Sequence, residues 1–339
     1  MKLVKNVSFS PVNTLLIGLL SAALSTNSPA AVSNLLAAKT GIKVNLSADA
    51  NDPLEKELHA IMVEDERAQN EADKMIRDAR AFEKAGAGIG NATLAARVEE
   101  RLKPVRQLYE DFILKHPKHV PARLAYGSFL SDIEDEGCLV QWQKARDLEP
   151  ENPSPLNNLA NYYGHYGPVS KAFDLYEKAI QLSTNEPVYL QNLATTTYLF
   201  RKDAMEYYKI NEQQVFDKAL DLYKRALKLD PTNFLYATDL AQSYYGIKPL
   251  RADDAIAAWK YALNVATSDV EKQGTYLHLG RVELNSGRFD EARKHLTAVT
   301  NTEMSELKDR LIRNLEAKEK AAKSPAATVV ENAADKASR

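Results

Sequence analysis

Apolar positions along the chain recur at helical rather than strand spacing. The series Leu54, Leu58, Ile61, Asp65, Ala68, Ala72, Met75, Ala79 and Phe82 advances in steps of four and three. Such steps put every member on one stripe of a helix, so the pattern predicts one continuous helix of about thirty residues. Asp65 is the one charged member of that seam. Asp52-Pro53 supplies a start signal, an N-cap followed by proline at the first helical position. Residues 85–93, AGAGIGNAT, end the helix, because Gly86, Gly88 and Gly90 are costly within one. A second helical stretch is predicted from residue 93 to 115, kinked at Pro104. Residues 52–118 therefore read as a helical hairpin.

From residue 119 onward the apolar pattern repeats. Each unit has a small residue in its first helix: Gly127, Ala160, Ala194, Ala241 and Gly280. Each has a second in its second helix: Cys138, Ala172, Ala219, Ala255 and Ala292. Four residues on comes a large one (Trp142, Tyr176, Tyr223, Trp259, Leu296), and three further a modest one (Ala145, Ala179, Ala226, Ala262, Val299). Two antiparallel helices approach closely only where side chains are small, and the bulky residue then fills the wedge between successive units. These are the residues of the tetratricopeptide repeat, and residues 120–300 resemble that family. Cys138 and Ala172 are 34 apart, the family's period. The later steps are 47, 36 and 37, so the third unit carries 13 extra residues, placed near 201–214. Pro150 and Pro231 stand where the family commonly has its terminal proline.

The resemblance implies an all-α, right-handed solenoid of four or five helical hairpins over 119–301. No single repeat can bury its own apolar face, so neighbours must stack and both ends need covering. The hairpin 52–118 would cap the start. Residues 302–321, with Met304, Leu307, Leu311, Ile312 and Leu315 on one face, would form a C-terminal capping helix. Residues 322–339 lack a core pattern and read as a disordered tail, and 31–51 as a linker.

The N-terminus carries a targeting signal. Lys2 and Lys5 precede the compact apolar run 15–24, and Ser28-Pro29-Ala30 offers a cleavage site after Ala30. Even counted from Val12 the run spans only residues 12–24, short of the roughly 20 residues a membrane span needs. Residues 1–30 are thus read as a signal peptide, with an uncleaved anchor as the rival, and the mature chain as periplasmic or extracellular with no integral span. Beyond residue 30, Asn-x-Ser/Thr sequons begin at Asn45 and Asn91.

Composition narrows the function classes. The 339 residues are 45% apolar and 27% charged, ordinary for a soluble protein. The net charge of -2 gives no basic field for nucleic acid. One cysteine, Cys138, excludes an intrachain disulfide and a cysteine-based zinc site; in a position normally held by Ala it reads as a buried structural thiol. Glycines 86, 88 and 90 lack the spacing and preceding strand of a phosphate loop. His116 and His119 have no third ligand nearby, and His165 reads as a solvated surface histidine. No catalytic constellation emerges, so neither enzyme chemistry nor a metal or cofactor is expected.

What remains is binding. In tetratricopeptide arrays the first helices line the concave face, and the resemblance places there Asn157, Asn158, Asn161 and His165, then Gln191, Asn192, Thr195 and Tyr198, then Thr238, Asp239, Gln242 and Tyr245, and lastly His278, Arg281 and Asn285. The face is polar and nearly uncharged. The carboxylate-clamp subfamily, which grips acidic chaperone tails, needs Lys and Arg there; Asn157 replaces a Lys, and Asp239 stands where an Arg is expected. The pattern is closer to the asparagine ladder of the O-GlcNAc transferase superhelix: Asn158 and Asn192 stand at its place, and Asp239 and His278 break it. The expected function is a non-enzymatic scaffold holding an extended protein or peptide partner. The alternative is a structural component of an envelope secretion or polysaccharide-export assembly, using the convex face or the insertion.

Overall fold

The structure, a computed structural model, describes residues 52–84, 86 and 88–322. The expected signal peptide, linker, first sequon and most of the expected tail lie outside the described residues. Those residues form fourteen α-helices and no strand. The chain divides into two compact units, one up to Thr184 and one from Asn185.

The first unit holds α1 (Pro53–Lys84), α2 (Asn91–Lys115), α3 (Val120–Asp132), α4 (Gly137–Leu148), α5 (Pro153–Tyr166) and α6 (Val169–Leu182). Asp52 starts α1 as expected, its Oδ1 accepting from the Leu54 N–H at 2.9 Å. The predicted seam packs α1 on α2, with Leu58, Ile61, Ala68 and Ala72 buried. Its charged member is satisfied within the interface: Asp65 Oδ2 accepts from the Tyr109 hydroxyl at 2.9 Å and Oδ1 from Gln69 Nε2 at 2.6 Å. A buried carboxylate so paired costs far less than an unpaired one. Beyond Ala72 the seam opens, and Phe82 is 61% exposed. One helix, α2, runs through Pro104 to Lys115. His119 caps α3, its Nδ1 accepting from the Ala122 N–H at 3.1 Å. That leaves Nε2 to donate to Glu55 Oε1 at 3.0 Å, tying α3 to α1.

The second unit holds α7 (Pro187–Leu199), α8 (Arg201–Tyr208), α9 (Glu212–Leu229), α10 (Phe234–Ser243), a 3-10 turn (Tyr244–Gly246), α11 (Ala252–Val265), α12 (Asp269–Asn285), α13 (Phe289–Thr297) and α14 (Ser305–Ala322). The hairpin partners are α7 with α9, α10 with α11, and α12 with α13. The extra residues of the third repeat form α8. Lys209 in the left-handed conformation ends α8, and the Asn211–Gln214 capping box starts α9. The helix packs back: Ala204 is fully buried, Arg201 lies over the rings of Tyr198 and Phe216, and Lys218 over Tyr208. At the far end Leu311 and Leu315 of α14 are buried with Leu277, Leu284, Leu296 and Val299, while Leu307 is exposed. Ala322, placed in the tail by its sequence, still belongs to α14.

All twenty register positions named above, small and large, are buried in both units. The bulky member meets the first helix of its own hairpin at Gly127 and Gly280, and Trp259 reaches the next hairpin, stacking on His278. A Cβ on Gly127 would lie 2.3 Å from Trp142 Nε1, and one on Gly280 2.7 Å from Leu296 Cγ. The Trp142 indole N–H donates to the Leu124 carbonyl at 3.3 Å on that same first helix.

Candidate functional site

The polar residues of the first helices are placed differently in the two units. In α5 the residues 155–160 are all buried, so the helix has no open side over that stretch. Asn157 and Asn158, expected on an open face, are interior at 1% and 3% exposure. Asn157 Nδ2 reaches Asn158 Oδ1 at 3.5 Å, the outer limit of a hydrogen bond. The Asn158 amide nitrogen is buried with no acceptor among the described residues. Asn161 is half-buried, and its Oδ1 accepts from the Tyr176 hydroxyl of α6 at 2.5 Å. His165 is exposed in the last turn.

In the second unit the first helices carry a half-buried polar row. Gln191, Asn192, Thr195 and Tyr198 lie on α7, Asp239 and Gln242 on α10, Tyr245 in the 3-10 turn, and His278 on α12, with Arg281 exposed beside it. Gln191 Nε2 donates to Asp239 Oδ2 at 2.8 Å, joining α7 to α10. Burial pushes the Asp239 carboxyl up to about 6, and the Gln191 hydrogen bond partly offsets this. Thr195 Oγ1 and the Tyr223 hydroxyl are 2.8 Å apart. Tyr198 is wedged against the 3-10 turn, where a Cβ on Gly246 would meet its hydroxyl at 2.2 Å. Tyr245 is held from two sides: its hydroxyl lies 2.9 Å from His278 Nδ1, and the Arg281 guanidinium sits 4.6 Å over its ring. The His278 imidazole stacks on Trp259, with centroids 4.1 Å apart and planes at 3°. Burial, and then the Arg281 charge, bring its pKa down to about 4, so it is neutral at physiological pH. Thr238 is buried, and Asn285 is exposed.

Three residues of this network, Tyr176, Tyr223 and Trp259, stand at positions whose spacing predicts packing wedges alone. The repeat register held the signal. Tyr176 and Tyr223 each bond the residue that follows the small crossing residue of their own first helix, Asn161 after Ala160 and Thr195 after Ala194. A hydroxyl at the bulky position thus reaches over the crossing onto the polar side.

Among the described residues no group of three or more His, Cys, Asp or Glu could hold a metal ion, and no helix is long and apolar enough to cross a membrane. Cys138 is fully buried, and burial pushes its thiol up to about 11. His119 is occupied as a helix cap.

No family model and no curated protein matches the chain. Several solved structures are similar. PilW, a type IV pilus biogenesis factor, is 13% identical, with 71% of this chain and 98% of that one covered at a TM-score of 0.49. The pilF structure from Pseudomonas aeruginosa is 13% identical, with 74% and 99% covered at 0.48. YrrB, a TPR protein with an unusual peptide-binding site, is 15% identical, with 62% and 97% covered at 0.45.

Proposed function

We propose that this chain is a non-enzymatic interaction scaffold whose first-helix faces hold an extended polypeptide. The observation that carries the reading is the polar row of the second unit. Its side chains are fixed before any partner arrives, through Gln191–Asp239, Thr195–Tyr223 and Tyr245–His278. Rotamers already ordered lose little entropy on binding. An amide side chain offers one acceptor oxygen and two donor hydrogens, so it can pair with both groups of a passing peptide bond whatever the side chains beyond it. Asn192 and Gln242 are the amides best placed for this, half-buried on α7 and α10. A neutral His278 keeps the row free of a further cation, which suits a weakly charged chain.

The protein is proposed to work outside the cytoplasm, after cleavage behind Ala30. Mass spectrometry of the exported protein tests this: a mature N-terminus near Ala31 is expected, and a retained Met1 favours an anchored form. Capture from an envelope fraction by the parent and by Asn192→Ala/Gln242→Ala tests the binding face. Reduced recovery of a discrete polypeptide by the variant supports it, and equal recovery counts against it. The alternative, a part of an envelope assembly, is favoured by the exposed apolar side chains of the α1–α2 hairpin, Leu114 at 81% and Phe82 at 61%. Recovery of a large stable complex, unaffected by the variant, would promote it.

A further inference from the structure

The corner of the first unit where α2, α3 and α4 meet encloses an open cleft of about 340 Å3. Ile113, Leu114 and Pro117 give it an apolar wall. Arg123, only 6% exposed, is on the same lining. Its Nε and Nη2 both donate to the Pro117 carbonyl, and Nη1 donates to Gln141 Oε1 at 2.9 Å. Both acceptors are neutral. A guanidinium has five N–H donors, and these bonds use three, so two have no acceptor among the described residues. Among the described residues no carboxylate pairs with Arg123. Burial alone pulls its pKa down, with no opposing charge to restore it. A buried cation without a counter-charge is costly. The acid on the lining, Glu110, is instead engaged by the Tyr126 hydroxyl at 2.8 Å. With Lys144 also on the lining, the cleft carries two cations against one carboxylate.

We propose that this cleft binds the C-terminal residue of a partner polypeptide, an apolar residue whose terminal carboxylate pairs with Arg123. The spare guanidinium donors suit a carboxylate, the anion whose geometry arginine matches best. The cleft's volume is at the low end for ligand sites, so charge and apolar group must come from nearly the same place. A chain end carries both on one Cα. An Asp or Glu side chain brings the charge without an apolar group beside it. The site is separate from the first-helix polar faces, since Gln141 and Lys144 lie on α4 and Leu114 on α2.

The test is an NMR titration of the full chain, methyl-labelled at Leu and Ile, with N-acetyl-Ala-Leu as the free acid and as its C-terminal amide. The acid is expected to shift the Leu114 and Ile113 methyls saturably, and the amide to bind about ten-fold more weakly or worse, as loss of a charged hydrogen bond requires. No saturable shift up to about 10 mM acid, or equal affinity for acid and amide, overturns the proposal. Arg123→Gln should erase the preference for the acid. Should that variant fail to fold, Leu114→Asp at its exposed position carries the test: it should abolish binding with the melting curve unchanged, and retained binding overturns the site. A C-terminally amidated peptide with an internal Glu-Leu step that binds as tightly as the free acid overturns the chain-end reading.

Discussion

Asn158 and Asn192 occupy the same register, 34 residues apart, and meet opposite fates. In the first unit Asn158 is 3% exposed, with its amide nitrogen buried and unsatisfied. In the second, Asn192 is half-buried within a row whose members bond one another from α7 to α10 and from the 3-10 turn to α12. The crossings beneath these residues are alike in both units, with Ala160 and Ala194 fully buried. A common packing register therefore does not fix what a polar residue one or two positions away will do. Burial of the neighbouring turn decides that, and it differs between α5 and α7.

The largest expected effect comes from breaking the shared register. Gly127→Ala puts a methyl where Trp142 Nε1 already lies at 2.3 Å, and Ala172→Leu and Ala219→Leu overfill fully buried crossings. Each should cost about 1–3 kcal/mol, and the Leu variants more. Thermal melts should fall in both units. A parental melting curve for any of the three would show that the crossings are not where the repeat places them.

The register was legible in the sequence because small residues at helix crossings are dictated by steric closeness, which is local and periodic. The α1 seam was legible for the same reason, but its end was not. Met75, Ala79 and Phe82 continue the spacing, yet Phe82 is exposed, because periodicity gives a face and not the length of the helix opposite it. The polar site was legible as a set of residues on first helices and illegible as chemistry. Nothing in the spacing distinguishes Asn158, inside, from Asn192, partly outside. Nor does it reveal that Asp239 is shielded, or that Trp259 stacks on His278.

The second-unit row should show itself in the pH dependence of stability. Asp239 titrates near 6 in the fold against an ordinary 3.8. Between these values the folded state holds a proton that the unfolded chain has released, so its contribution to stability falls as pH rises. His278 titrates near 4 against 6.5. Between these values the unfolded chain holds the extra proton, so its contribution rises with pH. The two slopes oppose each other in the parent. Relative to the parent, Asp239→Asn should gain stability from pH 4 to 6, and His278→Gln should lose it from pH 4 to 6.5, each by about 1 kcal/mol per pH unit. Denaturant unfolding across this range checks the signs, and parallel profiles for all three proteins would remove the shielded placement of both groups.

Asn158→Ala should have the smallest effect on stability. It deletes an amide donor that has no acceptor among the described residues and a marginal 3.5 Å contact from Asn157, so the desolvation cost of that donor is relieved while a weak contact and some packing are lost. A change within about 1 kcal/mol is expected. Asn161→Ala, which removes the oxygen that accepts from the Tyr176 hydroxyl at 2.5 Å, should cost more. The reverse order would mean that Asn158 has a partner the fold depends on.

The role proposed for the polar row of the second unit is to hold an extended polypeptide. Its most direct test is the affinity of the captured partner for the parent and for Asn192→Ala/Gln242→Ala, measured by calorimetry on proteins of matched melting temperature. Two amides lost, each with hydrogen bonds worth about 0.5–1.5 kcal/mol, should weaken binding roughly ten-fold or more. Equal affinities for the two proteins would contradict the claim and move the binding surface elsewhere on the molecule.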